Sequence, residues 1–418
     1  MRIAIIGGGV SGLVCAHMLH SEHELVVFEA SSQIGGHADT VTVATESGVY
    51  DIDTGFIVFN DRNYPNFERL LSELDVPTQA SRMSFGVSDG VDFEYNGSSP
   101  NGLFASRTQM IRPTVYRMVA DLNRFNRDAR ELLASDEDPS MCEWLDRRRY
   151  SRAFVQRLIV PQASAVWSAD PAQMWSFPAR FLVEFFDNHG MLGFRDRPRW
   201  RTITGGSRKY VEALTRPWHE CLRLSTPVTE VARHSDHVTV SARGCGPERF
   251  DAVVMATHSD QALALLADPS ERERELLGAI PYQSNEAALH TDRSLLPRRR
   301  RAWASWNYHL DAAVPGRCTV TYHMNRLQSL RAEREFCVTL NRTAAIDPDQ
   351  IIRTMRYAHP VYTPAGMTAQ SRHHEISAHN RTHYCGAYWG WGFHEDGVKS
   401  ALRVAREIGA RRAQTVSV

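Results

Sequence analysis

The chain has 418 residues with 48 basic and 48 acidic side chains, so its formal charge is zero and no global field points to nucleic acid as a partner. No run of eighteen apolar residues occurs, so no transmembrane helix is expected. The seven cysteines are scattered, odd in number and never spaced CxxC, which is the usage of a reduced, cytoplasmic protein with neither a zinc module nor a disulfide framework.

Met1 to Ala30 reads as an apolar run (Ile3 to Ile6), three glycines, a helix-compatible stretch, a second apolar run (Leu25 to Phe28) and an acid. Gly7, Gly9 and Gly12 make the GxGxxG spacing, and Glu29 follows Gly12 by seventeen residues. In a βαβ unit Gly7 permits the tight turn out of the strand. Gly9 lets the backbone approach a pyrophosphate, and Gly12 lets helix and sheet pack closely. The pyrophosphate then sits at a helix N-terminus, where free N–H groups favour negative charge, and Glu29 accepts the ribose hydroxyls. A dinucleotide site is expected.

A second glycine pair, Gly35 and Gly36, follows within SSQIGGHADT, and Val49 to Asn60 (VYDIDTGFIVFN) places Asp53, Thr54 and Gly55 before an apolar, aromatic run. Glycines just past the ribose acid suit a chain passing beneath a longer, extended cofactor. Here the sequence resembles the FAD-dependent oxidoreductases of the flavin amine oxidase and phytoene desaturase superfamily, in which a GxGxxG, an acid and a GG doublet form the N-terminal FAD site. That family usually has Arg after the doublet; this chain has His37.

From Asp61 to about Arg201 helical patterns dominate: Tyr64 to Leu74, Val115 to Leu133, Phe154 to Val166 and Phe177 to Phe186, with a hairpin pattern at Met83 to Tyr95. Two basic runs, Arg195 to Arg201 and Arg298 to Arg301, offer either solvated loops or a seat for an anionic headgroup or membrane surface, a peripheral contact. Thr202 to Leu214 is a third glycine doublet leading into an amphipathic helix. Pro227 to Val240 reads as a hairpin and Phe250 to Thr257 as a buried strand. Asn285 to Asp292, Ala302 to Leu310, Thr319 to Met324 and Phe336 to Asn341 read as strands of an antiparallel sheet. Period-two alternation puts Trp306 and Tyr308 on one face, as candidates to line a substrate cavity, with Trp303 opposite. The histidines of Arg372 to His383 lack metal-ligand spacing, and no metal is expected.

Tyr384 to Ile408 is a strand end, a glycine-rich aromatic loop and a helix opening at Gly397 or Val398, a second helix N-terminus suited to the other end of an extended FAD. GFIVFN (Gly55 to Asn60), WASWNY (Trp303 to Tyr308) and CGAYWGWGFHEDG (Cys385 to Gly397) resemble bacterial NAD/FAD-binding oxidoreductases associated with cyclopropane-type fatty acyl modification, nearly end to end. Where the wider family has an acid after the glycine, this chain has Gly386-Ala387.

The resemblance implies an α/β fold: a Rossmann-like, glutathione-reductase-type FAD domain from residues 1–60, 202–265 and 372–418, with an inserted α+β substrate domain from 61–201 and 266–371. It implies FAD contacts from Gly7, Gly9, Val10, Ser11 and Gly12, from Glu29 and Ala30, and from Gly35, Gly36 and His37. Further contacts are implied from Thr54, Gly55 and Phe56, from Val228 against the adenine, and from Gly386, Asp396, Gly397 and Val398. Trp389 and Trp391 join Trp306 and Tyr308 as substrate-lining residues, and His394 and Glu395 are candidates for proton handling. The expected activity is hydride transfer with a hydrophobic substrate, a fatty acyl or lipid chain bearing a double bond or methylene branch. Amine oxidation and a structural FAD are the alternatives. Only one GxGxxG exists, so NADPH, as reductant, would bind transiently. The oligomeric state is left open.

Overall fold

The computed structural model describes residues 1–193, 197–310 and 316–414. Its first sheet has five parallel strands: β1 (Arg2–Ile6), β2 (Glu24–Phe28), β3 (Leu222–Arg223), β4 (Ala252–Met255) and β5 (Thr382–Tyr384). They lie in the order β3-β2-β1-β4-β5. Ala4, Ile5, Val253 and Val254 are fully buried, as strands covered on both faces require, and this is why they read as continuous apolar runs. The order reverses between β1 and β4, so a crevice opens at their carboxyl ends. This is the Rossmann-like arrangement expected of the first thirty residues.

Helix α1 (Val10–Leu19) follows β1 and is buried along its whole length. Four further helices matter here: α2 (Pro65–Glu73), α3 (Pro113–Leu133), α4 (Arg208–Thr215) and α5 (His394–Ile408). Helix α5 begins three residues earlier than the glycine pattern suggested. The Asp396 carboxylate turns back to accept the Phe393 N–H at 2.9 Å, so His394, Glu395 and Asp396 form the first turn.

The second large sheet has seven strands, in the order Ile351–Pro360, Tyr282–His290, Cys337–Leu340, Val320–His323, Trp306–His309, Phe85–Ser88 and Glu94–Asn96. Every pairing is antiparallel except Trp306–His309 against Phe85–Ser88. The edge strand Ile351–Pro360 did not stand out in the sequence, because a half-exposed edge carrying Arg353 and Arg356 has no clean alternation. Helices packed on this sheet include Val160–Trp167, preceded by a π-turn at Val155–Ile159. Pro161 has no N–H to give to the Arg157 carbonyl, and the Tyr95 hydroxyl donates to that oxygen instead, at 2.8 Å. Among the described residues no helix is long and apolar enough to cross a membrane.

Asp53 ties the two sheets' surroundings together. Its buried Oδ1 accepts from Thr40 Oγ1 (2.7 Å) and from the N–H and hydroxyl of Ser207 (2.8 Å each), and Oδ2 accepts from Gln328 Nε2 (3.1 Å). Burial pushes its pKa up to about 7 in spite of these donors. Asp53→Ala would leave several buried donors without an acceptor and is expected to cost about 2–4 kcal/mol. Urea denaturation measures this; a loss well under 1 kcal/mol would show that the network is not structural.

Candidate active site

A cavity of about 1430 Å³ begins in the crevice between β1 and β4 and reaches the seven-stranded sheet. At one end are Glu29, Ala30 and Val228. Glu29 stands where β2 ends; its Oε2 accepts the Gly8 N–H and its Oε1 the Ser31 N–H, both at 2.8 Å. Gly7, Gly9, Val10 and Ser11 line it too, as do Gly36 and His37; Gly36 lies beside Gly9, whose Cα is 3.0 Å from where a Cβ on Gly36 would stand.

The glycines divide the labour. A Cβ on Gly12 would lie 2.0 Å from the Gly7 carbonyl oxygen, so Gly12 is a packing residue and does not line the cavity. Gly35 is likewise a backbone contact: its N–H donates to the Gly8 carbonyl at 2.9 Å. A Cβ on Gly9 would meet nothing within 4 Å, and Gly9 already has extended backbone angles (φ −77°, ψ 178°) that any residue adopts. The space beside Gly9 belongs to the cavity.

Helix α5 packs along α1. A Cβ on Gly397 would come within 2.6 Å of Val10, so Gly397 permits close approach, and both helix N-termini reach the same cavity through Val10, Ser11, Phe393 and His394. Asp396, Gly397 and Val398 therefore stand behind the wall; the lining from this segment is Gly386, Ala387, Tyr388, Trp391, Gly392, Phe393 and His394. Thr54, Gly55 and Phe56 complete it.

His394 stacks on Phe56 with ring centroids 3.5 Å apart and shares a 3.1 Å hydrogen bond with the Tyr210 hydroxyl of α4. Burial pulls its pKa down to about 3, so it is a neutral imidazole near pH 7 and a weak base. Glu395 does not line the cavity. Its carboxylate accepts from the Asn66 amide (2.7 Å) and from the N–H groups of Asn66 and Phe67, capping α2, which corrects its assignment to proton handling.

Two further expectations are corrected. Tyr308 is packed in the core with Cys318 and Val320, and Trp389 packs edge-on against His373 at 4.7 Å; neither lines the cavity. Trp306 and Trp391 do, together with Tyr322, Phe85 and Phe185. The basic run Arg195 to Arg201 lies partly outside the described residues; of it, Arg197, Arg199 and Trp200 line the cavity. Arg298 to Arg301 is used structurally, with Arg299 paired to Glu94 at 2.7 Å and Arg300 over the Trp303 ring. Among the described residues no cluster of His, Cys, Asp and Glu is arranged to hold a metal.

Sequence reasoning missed Tyr357, His359 and Tyr362, which the edge strand and the turn after it bring to the cavity. The alternation of Tyr357 and His359 was the available signal. Asn285 takes a hydrogen bond from Asn341 on its oxygen (2.9 Å) and presents its Nδ2 to His359 Nδ1 (2.9 Å), which leaves the His359 proton on Nε2. Burial, and then the nearby His258, hold His359 down at about 4.

The polar atoms in these walls suit a polar ligand. His37 Nε2, Tyr362 Oη, Tyr388 Oη, Ser81 Oγ and Trp306 Nε1 are all buried on lining residues with no protein partner. Buried polar groups are otherwise almost always paired. With the free N–H groups at the start of α1 and the Glu29 carboxylate, His37, Tyr362 and Tyr388 among them fit a dinucleotide carrying a polar ring system.

Two predictions follow from this geometry. Gly9→Ala is expected to keep the melting temperature of the cofactor-free protein while weakening FAD uptake at least tenfold, whereas Gly12→Ala lowers both; calorimetry and flavin absorbance separate them. Replacing His394 tests its charge state. Its native pKa lies below the unfolded value of 6.5, so the unfolded chain binds the extra proton as pH falls from 6.5 toward 3 and native stability is lost. Relative to His394→Gln at saturating FAD, the native protein is expected to lose about 1.4 kcal/mol per pH unit over that window. A constant difference in unfolding free energy would contradict a buried neutral imidazole.

The sequence profile of the family described as flavin containing amine oxidoreductase matches residues 10–345. No curated protein matches the chain in sequence. Among solved structures it is similar to cyclohexylamine oxidase from Brevibacterium oxydans IH-35A (16% identity, TM-score 0.70, 97% of this chain and 99% of that one). It is also similar to putrescine oxidase bound to putrescine (14%, 0.69, 98% and 100%). A third likeness is to a CLA-producing fatty acid isomerase from P. acnes (15%, 0.67, 97% and 98%). At these identities the likeness is one of fold; the family match goes further. The chain belongs to the flavin containing amine oxidoreductase family and is an FAD-dependent oxidoreductase.

Proposed function

We propose that this oxidoreductase acts on the aliphatic chain of a fatty acyl or lipid substrate, at a double bond or methylene branch. The observation that carries the reading is the charge of the walls. Among the described lining residues Glu29 is the only carboxylate, and it stands at the dinucleotide end beside Gly8 and Ser31. The far part of the cavity is lined by Val58, Met83, Phe85, Val166, Phe185, Trp306 and Leu340. An alkylammonium ion entering there would be desolvated without a counter-ion, which is costly, whereas an aliphatic chain gains about 0.8 kcal/mol for each buried CH₂.

Bound flavin supplies hydride acceptance or donation. The protein's own groups position and shield. Trp391 stacks on Phe181 at 4.5 Å, and Phe185 stacks on Phe393 at 5.6 Å, so these rings form a stiff wall that excludes water. His394, neutral and held by Phe56 and Tyr210, acts through hydrogen bonding and not through charge. For net reduction, NADPH is the donor in this reading, docking transiently because the chain has a single GxGxxG.

Amine oxidation is the second reading, favoured by the aromatic walls and by the fold shared with the putrescine and cyclohexylamine oxidases. Anaerobic photometry of the FAD-loaded protein separates the two. An unsaturated phospholipid or fatty acid is expected to bleach the flavin, or NADPH to bleach it with reoxidation on adding the lipid. Bleaching by cyclohexylamine alone would make the protein an amine oxidase.

A further inference from the structure

Arg82 lies on the cavity wall and is exposed to solvent, so it marks an edge where the apolar chamber meets water. Its N–H donates to the carbonyl of Arg326 at 3.4 Å, and Arg326 is half-buried. Neither guanidinium forms an ion pair among the described residues. The pKa of Arg326 is pulled down first by burial and then by Arg82; Glu335, which opposes this, is itself hydrogen-bonded to His323 at 2.7 Å. Two neighbouring guanidinium groups repel one another, a half-buried one is poorly hydrated, and the one carboxylate acting on Arg326, Glu335, is shared with His323 and Arg300.

The same corner holds two of the cavity's orphaned donors. Ser81 Oγ and Trp306 Nε1 are buried without a partner. Short contacts bring these segments together: the Ser305 hydroxyl donates to the Arg82 carbonyl, and the Trp306 N–H donates to the Ser84 carbonyl at 3.0 Å. Trp200 joins them, since its carbonyl accepts the Ser81 N–H at 2.9 Å. A corner with two cations, two unpaired donors and no lining acid has the chemistry of an anion site. It shares the cavity with the apolar walls of Met83, Phe85 and Leu340.

We propose that Arg82, backed by Arg326 and assisted by Ser81 Oγ and Trp306 Nε1, seats the anionic headgroup of the substrate chain, a carboxylate or a phosphate. The inference rests on the reading that the substrate is an aliphatic chain. Guanidinium groups form forked, charge-assisted hydrogen bonds with either anion, and a fixed headgroup sets how far along the chain the reacting carbons lie.

The test is titration of the FAD-loaded protein, followed by perturbation of the flavin absorption spectrum, with oleate, 1-oleoyl lysophosphatidate, oleyl alcohol and oleylamine below their aggregation limits. At least one anion is expected to bind ten times or more tightly than the alcohol; which anion does so identifies the headgroup. Arg82→Gln and Arg326→Gln are each expected to reduce that preference to threefold or less while leaving the alcohol's affinity and the melting temperature unchanged, with Arg82→Lys retaining part of it. Should Arg326→Gln unfold the protein, the exposed Arg82 and Ser81→Ala carry the test. Anions no tighter than the alcohol, or a preference that survives Arg82→Gln, overturn the anion seat but not the chain reading. Binding of oleylamine alone overturns both.

Discussion

The structure depends on one close approach: the N-terminus of α1 and the N-terminus of α5, from opposite ends of the chain, lie against each other over the carboxyl ends of β1 and β4. Gly397 makes this contact possible, since any side chain there would meet Val10, and Gly12 allows α1 to settle on the Gly7 turn. Each helix start carries unpaired N–H groups and a partial positive charge. Bringing both to one crevice concentrates that potential where a pyrophosphate and an electron-rich ring can use it. The Asp53 network then fixes the third glycine turn, through Ser207, to the strand pair that begins at Thr40.

Around this centre the cavity keeps its histidines uncharged. His37, His258, His359 and His394 all line it, and burial lowers the pKa of each. Neutral imidazoles can orient a ligand by hydrogen bonds without placing a fixed cation beside it. The charged side chains on the lining sit at its ends: Glu29 where β2 finishes, and Arg82, Arg197 and Arg199 where the chamber meets solvent. The chamber is thus charged at its rims and aromatic within.

Much of this was legible from local pattern. The GxGxxG with its acid, the helices around α2 and α3, and the hairpin at residues 228–242 are each set by periodicity or by turn chemistry within a few residues. Legibility fell where a residue's role depends on partners distant in sequence. Glu395 looks like an acid beside a flavin, but the N-terminus of α2 reaches it across more than three hundred positions and takes both its oxygens. Trp306 and Tyr308 share a face by alternation, yet Tyr308 is buried in the core while Trp306 lines the cavity. The start of α5 was misplaced because glycines suggested an opening that Asp396 had already capped.

By itself the sequence determined the first βαβ unit and its glycine turn, because glycine spacing and a terminal acid are properties of a single contiguous segment. It pointed to the family too, through the GxGxxG, the acid and the glycine doublet near its N-terminus. Only the tertiary structure decided which aromatic rings face the cavity, which carboxylates are spent as helix caps, and that the segments of Arg82 and Arg326 meet at the cavity's edge. Those outcomes turn on which distant elements pack over a given side chain, and burial of that kind leaves no local pattern to read.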